Sequence, residues 1–319
     1  MRNTMFVKKV LSSKDELMKI YTVIVTFNRK ELLVKCIEAV LNQTYLPETI
    51  YVIDNASTDG TEELLLARGL HHGRVNGVNI CYECLPKNSG GAGGFYAGMK
   101  MAHEAGCDAV WMMDDDGLPN KDCLENMLPF LDKYDYLSPL VVDIEDEKMM
   151  SFEGCTVEEF MKQEQDGVVE GHANPFNGVL FTKRLIDAVG YPKKEMFIWG
   201  DEINYDLRAK ASGFKPVMIV NAIHHHPINR QRYVSYLGRH KMVVPEQDWK
   251  LFCYLRNRTY NAKMFMGQSA SIKQALADIV RFGCYFLLQA HQPCKMGVVV
   301  KSIYKGFIGD FLGLERYMK

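Results

Sequence analysis

Short runs of apolar, β-branched and aromatic residues recur along the first third of the chain. Tyr21–Phe27, Thr49–Asp54, Val78–Cys84 and Ala109–Met113 start about 30 residues apart and read as buried strands. Between the first two, Leu32, Leu33, Cys36, Ile37, Val40 and Leu41 repeat at helical spacing and form one apolar stripe. After the second run, Asp59-Gly60-Thr61-Glu62 places an acceptor side chain three residues before a Glu, a helix-start signal, so a helix is expected over Glu62–Gly69. Strand–helix units repeated at this length predict an α/β fold with a doubly wound, mostly parallel sheet. Ligands of such sheets sit beyond the carboxyl ends of the strands.

The polar residues fall where that expectation puts them. Thr26-Phe27-Asn28-Arg29 follows the first run, Asp54-Asn55-Ala56-Ser57 the second, Asn88-Ser89-Gly90-Gly91 the third and Asp114-Asp115-Asp116 the fourth. The clusters are expected to converge on one crevice. Further on, the pattern reads as a strand Tyr136–Val142, an irregular stretch 143–176, a short strand Gly178–Phe181, a helix Glu202–Ala211 and a strand Pro216–Val220 that runs out to His224-His225-His226. From Trp249 it is helical, with polar breaks at Gly267–Ser269 and Gln292-Pro293. The expected organisation is a lead segment 1–20, an α/β domain 21–240 and a helical C-terminal region 241–319.

Composition narrows the class. At 319 residues, 47% hydrophobic and 24% charged, the chain excludes disorder, collagen, coiled coil and small disulfide scaffolds. The formal charge of −1 hides an asymmetry: residues 239–319 carry 13 basic and 5 acidic side chains, and the rest is acidic by about as much. A basic tail suggests an anionic partner such as a lipid surface, and an acidic body suits metal or hydroxyl-rich ligands; a solvated face is the plainer alternative. Nine scattered cysteines and no apolar leader predict a reduced, cytoplasmic protein. Cys81 and Cys84 have CxxC spacing but read as core thiols of a strand. No window is apolar enough to span a bilayer.

Three aspartates behind an apolar strand (WMMDDDG) carry the strongest chemical signal. Alternation along the strand would turn Asp114 and Asp116 to one side and Asp115 to another. Massed carboxylates repel unless a cation is present, and oxygen ligands suit Mg²⁺ or Mn²⁺ carrying a diphosphate; an acidic turn is the alternative. Asn88 to Phe95 reads as a glycine-rich turn ahead of a helix Tyr96–Ala105, able to approach phosphate or sugar, and it is not a Walker A loop. Asp201 and Glu202 precede a helix, where they serve either as N-cap and first-turn acid or as a general base. A neutral imidazole from His224, His225 or His226 could complete a metal shell beside the aspartates.

VIVTFNR, VIDNASTDGT, DDDG, an acidic pair ahead of Arg208 and a His after the next strand occur in that order over residues 20–230. In this they resemble family 2 glycosyltransferases of the GT-A fold. NSGGAGGF, WMMDDDG and FIWGDEINYDLR look most like the branch of bacterial galactofuranosyltransferases and related rhamnosyltransferases. The resemblance implies a metal-dependent, inverting transfer of a sugar from a nucleotide diphosphate, best matched by UDP-galactofuranose, to a hydroxyl of a glycan or lipid-linked oligosaccharide. By position, Thr26, Asn28 and Asp54 would line the uridine pocket. Asn88, Gly90, Gly91, Gly93 and Trp199 would shape the nucleotide-sugar site, and Asp114 and Asp115 would hold ribose or donor. Asp116 would ligate Mn²⁺ or Mg²⁺, with Asp114 a second candidate and His226 the imidazole ligand. Aligning on Arg208 makes Glu202 the catalytic base; aligning on Trp199 favours Asp201.

The larger galactofuranosyl polymerases of the branch this chain resembles carry an extra N-terminal domain, whereas about 20 residues precede the core here, so the resemblance implies addition of a single residue rather than polymerisation. Lys and Arg flank aromatic stripes in the tail, which suits either docking on the inner face of the plasma membrane or a second copy of the chain. No nucleic-acid partner is expected. The alternatives are a rhamnosyltransferase or other hexosyltransferase of the same fold, a sugar nucleotidyltransferase, disfavoured because TFNRKELL lacks a basic glycine loop, and a non-catalytic sugar-nucleotide or metal-binding protein.

Overall fold

A computed structural model describes residues 18–174, 176–228, 233–236 and 240–318. The expected lead segment 1–20 lies outside the described residues up to residue 17. The chain falls into two compact units, one holding residues to 192 and 208–229, the other 193–207 and 230 onward. Asp201 and Glu202 therefore belong to the second.

The first unit contains β1 (Ile20–Thr26), α1 (Lys30–Leu41), β2 (Thr49–Asp54), α2 (Thr61–Arg68), β3 (His72–Val75), β4 (Val78–Cys84), α3 (Gly90–Glu104) and β5 (Ala109–Asp114). They are followed by β6 (Leu118–Pro119), α4 (Cys123–Met127), β7 (Tyr136–Asp143), α5 (Val157–Met161), β8 (Val168–Glu170), β9 (Val179–Thr182) and α6 (Lys183–Val189). Helix α7 (Asp201–Ala211) begins in the second unit and ends in the first, ahead of β10 (Pro216–His226). The sheet order is β3-β4-β2-β1-β5-β9-β7-β10-β6, with β8 also on β10. Strand β1 runs parallel to β2 and β5, β2 to β4, and β7 to β10, while β9 lies antiparallel between β5 and β7. The α/β, mostly parallel GT-A-like expectation is met.

Details depart from the pattern for local reasons. In α1 the buried stripe takes Val34, three residues before Ile37, and leaves Leu32 exposed. The glycine-rich segment is not a turn: α3 starts at Gly90 and runs through the glycines. A Cβ on Gly94 would lie 2.5 Å from Val25, and one on Gly98 2.3 Å from Val23, so these glycines let the helix lie against β1. The three histidines sit within β10 rather than after it, because a register shift between Ile219 and Ile223 restores pairing with β7 out to His226–Asp143. Cys84 is exposed, so it is not a core thiol, and all nine cysteines are free.

The second unit holds a hairpin, β11 (Tyr233–Tyr236) and β12 (His240–Val243), and three helices, α8 (Asp248–Phe265), α9 (Gln268–Gly283) and α10 (Lys295–Ile308). Helix α9 continues into a π-helical turn, Cys284–Gln289. Leu251, Phe252, Leu255, Phe282, Phe286, Val299 and Ile303 form its core. A Cβ on Gly306 would lie 2.4 Å from the Arg256 carbonyl oxygen, so α8 and α10 touch backbone to backbone there. Among the described residues no helix is long and apolar enough to cross a membrane.

Candidate active site

Parallel pairing brings the carboxyl ends of β1, β2, β4 and β5 to one edge of the sheet, and their side chains lace the loops together. Asn28 has a left-handed backbone (φ 54). Its N–H donates to Ser57 Oγ at 2.8 Å, and its Oδ1 accepts from the Thr58 N–H at 2.7 Å. Asp54 is 1% exposed: Oδ1 accepts from the Ser57 N–H at 2.8 Å and Oδ2 from the Tyr82 hydroxyl at 2.7 Å. Asn55 donates to the Gly90 carbonyl at 3.1 Å and accepts from the Ser89 hydroxyl at 3.0 Å. Asn88 Oδ1 accepts from the Gly90 N–H at 2.8 Å, fixing the start of α3. Gly91 faces open space, whereas a Cβ on Gly93 would strike Ser89.

The aspartates separate, but not by strand alternation: β5 ends at Asp114, and Asp115 and Asp116 lie in the turn that follows it. Asp115 turns inward, where its Oδ2 accepts from Thr26 Oγ1 at 2.7 Å and its Oδ1 from Arg29 at 3.1 Å. Asp114, Asp116 and His226 each offer a ligand atom, all within 4.8 Å of one another. Asp116 Oδ2 accepts from the same Arg29 nitrogen at 2.7 Å. Its Oδ1 makes no hydrogen bond, although His226 Nε2 lies 3.2 Å away. His226 Nδ1 donates to the Pro227 carbonyl at 2.6 Å, which in the neutral ring leaves the Nε2 lone pair turned to the aspartates.

Electrostatics explain what this cluster lacks. Burial, with Asp116 and Asp115 adding repulsion, pushes the Asp114 carboxyl up to about 8. Burial pushes Asp115 up to about 6 against the pull of Arg29. Burial acts on Asp116 in the same direction, but in the absence of a cation the protonated His226 ring facing it, together with Arg29, outweighs burial and holds that carboxyl below its usual range, and the same contact raises His226. Two carboxylate oxygens, one without a hydrogen bond, and one imidazole lone pair form a hard oxygen and nitrogen donor set that fits a divalent cation such as Mg²⁺ or Mn²⁺. The other histidines do not join it. His224 is buried in contact range of Gly117 and Gly178, and burial drops its pKa to about 3. His225 pairs with Glu147 at 2.9 Å.

In the second unit, Asp201 is 4% exposed and Glu202 is half-buried. Glu202 Oε2 accepts from the Gly200 N–H at 3.0 Å, closing the first turn of α7. The Trp199 ring meets Tyr254 edge-on at 6.3 Å, with Lys250 Nζ 5.8 Å from its centroid. The sequence pattern did not single out Arg29 or Tyr82, which contact Asp115, Asp116 and Asp54. Arg29 was findable, because three adjacent carboxylates demand a counter-charge; Tyr82 shows no local signal.

Residues 21–153 match the family model "Glycosyl transferase family 2". The chain is 30% identical over 280 residues to galactofuranosyltransferase GlfT1 of Mycolicibacterium smegmatis, covering 83% of this chain and 89% of that protein. It is also 30% identical to galactofuranosyltransferase GlfT1 of Mycobacterium tuberculosis, covering 86% and 90%. Among solved structures, GalNAc-T7 with UDP, GalNAc and Mn²⁺ aligns with a TM-score of 0.56 at 13% identity, covering 78% of this chain and 48% of that one. S. aureus TarS 1-349 in complex with UDP aligns with a TM-score of 0.51 at 15% identity, covering 92% and 88%. Those two likenesses bear on the fold. With 30% identity over most of its length to galactofuranosyltransferases, the chain belongs to glycosyl transferase family 2 and is a galactofuranosyltransferase-like glycosyltransferase.

Proposed function

We propose that the protein transfers galactofuranose from UDP-galactofuranose to a hydroxyl of a glycan or lipid-linked oligosaccharide, with inversion and with a divalent cation, in surface polysaccharide synthesis. The observation that carries the reading is the convergence of Asp114, Asp116 and His226, two carboxylates and an imidazole at the carboxyl end of the sheet. The choice of donor sugar leans on the galactofuranosyltransferases that the chain resembles.

In this reading Asp116, His226 and Asp114 hold Mn²⁺ or Mg²⁺, which when bound offsets charge developing on the departing diphosphate. Thr26, Asn28 and Asp54 form the uridine pocket. Asn88, Gly90, Gly91, Gly93, Asp114, Asp115 and Trp199 border the rest of the nucleotide sugar. Glu202 is the general base, because it is the more exposed acid of the pair and a base must reach the acceptor; Asp201 is the second candidate. The Glu202 carboxylate takes the acceptor's hydroxyl proton while the new bond forms on the face opposite the leaving UDP. The catalytic domain is then residues 21–240, and 241–319 serves contact with a membrane or a second copy.

The helical region favours a lipid surface at the cytoplasmic face of the plasma membrane. Ile272, Leu276 and Val280 on α9 and Val300, Tyr304 and Ile308 on α10 are exposed, and Lys273 and Arg281 are exposed on α9. Replacing Leu276 and Tyr304 by Asp should release the protein from anionic vesicles; undiminished co-sedimentation would remove the membrane role.

The decisive experiment measures UDP or dTDP release from UDP-galactofuranose, UDP-galactose, UDP-glucose and dTDP-rhamnose, with Mn²⁺, Mg²⁺ or EDTA. Release from UDP-galactofuranose that needs a divalent ion is expected. Preference for dTDP-rhamnose would move the donor assignment, and full activity in EDTA would remove the metal.

A further inference from the structure

Residues 197–200, just ahead of the acid pair, follow a backbone path that side chains resist. Phe197 has φ 68 and ψ −64, Trp199 φ 59 and Gly200 φ 94. Two bulky aromatics in a region that glycine favours persist only where the surroundings over-determine them. Those surroundings come from one helix. Asn257 Nδ2 donates to the carbonyls of Met196 at 2.9 Å, Ile198 at 3.0 Å and Trp199 at 2.7 Å. Asn261 Nδ2 donates to the Gly200 carbonyl at 2.8 Å, and Asn204, on α7, donates to Asn261 Oδ1 at 2.9 Å.

Arg256 fixes the amide that does most of this. Its Nε donates to Asn257 Oδ1 at 3.0 Å, which turns the Asn257 NH₂ toward the loop, and its Nη2 donates to the Met196 carbonyl at 2.8 Å. Arg256 and Asn257 are 0% exposed, Asn261 5% and Asn204 2%. A core of apolar side chains would have packed the three helices without burying these polar groups. Arg256 also donates to the Phe311 carbonyl at 3.1 Å, but the side-chain amides of Asn257 and Asn261 donate to the carbonyls of residues 196, 198, 199 and 200, each flanking a left-handed residue or belonging to one. Gly200 completes the fit, since a Cβ there would lie 3.2 Å from Asn257 Cβ.

We propose that Asn257 and Asn261, oriented by Arg256, are positioning residues for the transfer reaction: they clamp the strained loop 196–200 and so set the placement of Asp201 and Glu202. The inference rests on the reading of that pair as the base. It goes beyond it by locating what aims the base in a helix that carries none of the site motifs.

The test compares Asn257→Asp, which keeps the size but replaces the donating NH₂ with oxygen, and the milder Asn261→Ala. Each is assayed for turnover, UDP affinity by calorimetry, and melting temperature. Misplacement by about 1 Å costs on the order of 10²-fold in rate, so turnover should fall by about that factor in Asn257→Asp and by about tenfold in Asn261→Ala, with UDP affinity held within about twofold. A folded Asn261→Ala protein with wild-type turnover overturns the clamp, as does a parallel loss of turnover and UDP affinity. If Asn257→Asp does not fold, Asn261→Ala decides. Glu202→Gln and Asp201→Asn run alongside. Full turnover in both removes the base reading, whereas loss in either with Asn261→Ala unaffected removes the clamp alone.

Discussion

Asp116 and Glu202 are both acids at the end of a strand or the start of a helix, yet they are held by different means. Around Asp116 the side chains hold one another: Arg29 bridges Asp115 and Asp116, Thr26 binds Asp115, and His226 faces Asp116 across 3.2 Å. Around Glu202 the backbone is held, by Asn257 and Asn261 acting on carbonyls before it, and the carboxylate turns back onto the Gly200 N–H. The first arrangement places charge and leaves it unbalanced. The second places geometry and spends polar groups to keep it. A counter-ion site can take up a cation and adjust, whereas a base must meet one proton from one direction.

Removing divalent ions should break the first region most severely. Turnover is expected to vanish in EDTA and to return with Mn²⁺. A second measurement tests the charge argument without activity. Asp114 and Asp115 have raised pKa values in the folded chain, so the folded state binds more protons than the unfolded one between about pH 4 and pH 8. Stability contributed by the protonated carboxyls is therefore present at low pH and lost as pH rises through about 6 and then about 8. Melting temperature of the ion-free protein should fall over that window, and Mn²⁺ should flatten the fall. A metal-independent profile would detach the aspartates from cation binding.

Glu202→Gln should break the second region while sparing the first. Turnover is expected to drop by about 10²–10⁴, the usual worth of general-base help, with UDP and Mn²⁺ affinities unchanged. Wild-type turnover, or loss of UDP affinity in proportion, would place Glu202 elsewhere in the chemistry.

The two regions were also unequally legible. The regular spacing of β1, β2, β4 and β5 announced the sheet, and with it the edge where polar residues gather. The period of two along a strand does not account for Asp115 facing away from Asp114 and Asp116, because β5 ends at Asp114 and the turn after it sets the other two. The period of two could not choose among the histidines, since His224 and His226 share a parity; His224 lies level with Pro119 and Val141, and His226, at the end of β10, faces Asp116. The glycines of α3 misled because a missing Cβ serves close packing on β1 as readily as close approach to a ligand. Nothing local marks Asn257 or Asn261. Both sit inside an aromatic-rich helix, and their partners are carbonyls about 60 positions earlier in the chain.

Within the sheet unit a smaller effect is expected at Tyr82, whose hydroxyl is one of two donors on the buried Asp54. A hydrogen bond to a charged group is worth about 1.5–3 kcal/mol. Tyr82→Phe should raise the donor KM by about tenfold or somewhat more and leave turnover at saturation nearly unchanged. A fall in turnover as large as the rise in KM would show that Asp54 acts beyond donor binding.

The smallest effect concerns Arg29, the one element in which charge and geometry are hard to tell apart. A single Arg29 nitrogen makes both contacts, at 3.1 Å to Asp115 and 2.7 Å to Asp116, and the side chain is 50% exposed. If its role is charge, it competes with a divalent ion for the same carboxylates, and solvent weakens that competition. Arg29→Gln should then tighten Mn²⁺ binding by roughly threefold to tenfold at low salt, the gain shrinking as ionic strength rises, because screening removes a repulsion that acts through water. Arg29→Lys, which keeps the charge and one nitrogen, should leave the affinity near wild type. Weaker Mn²⁺ binding in Arg29→Gln, titrated by calorimetry, would mean that Arg29 orients Asp116 much as Asn257 orients the loop before Glu202, and the contrast between the two regions would narrow to the kind of atom held.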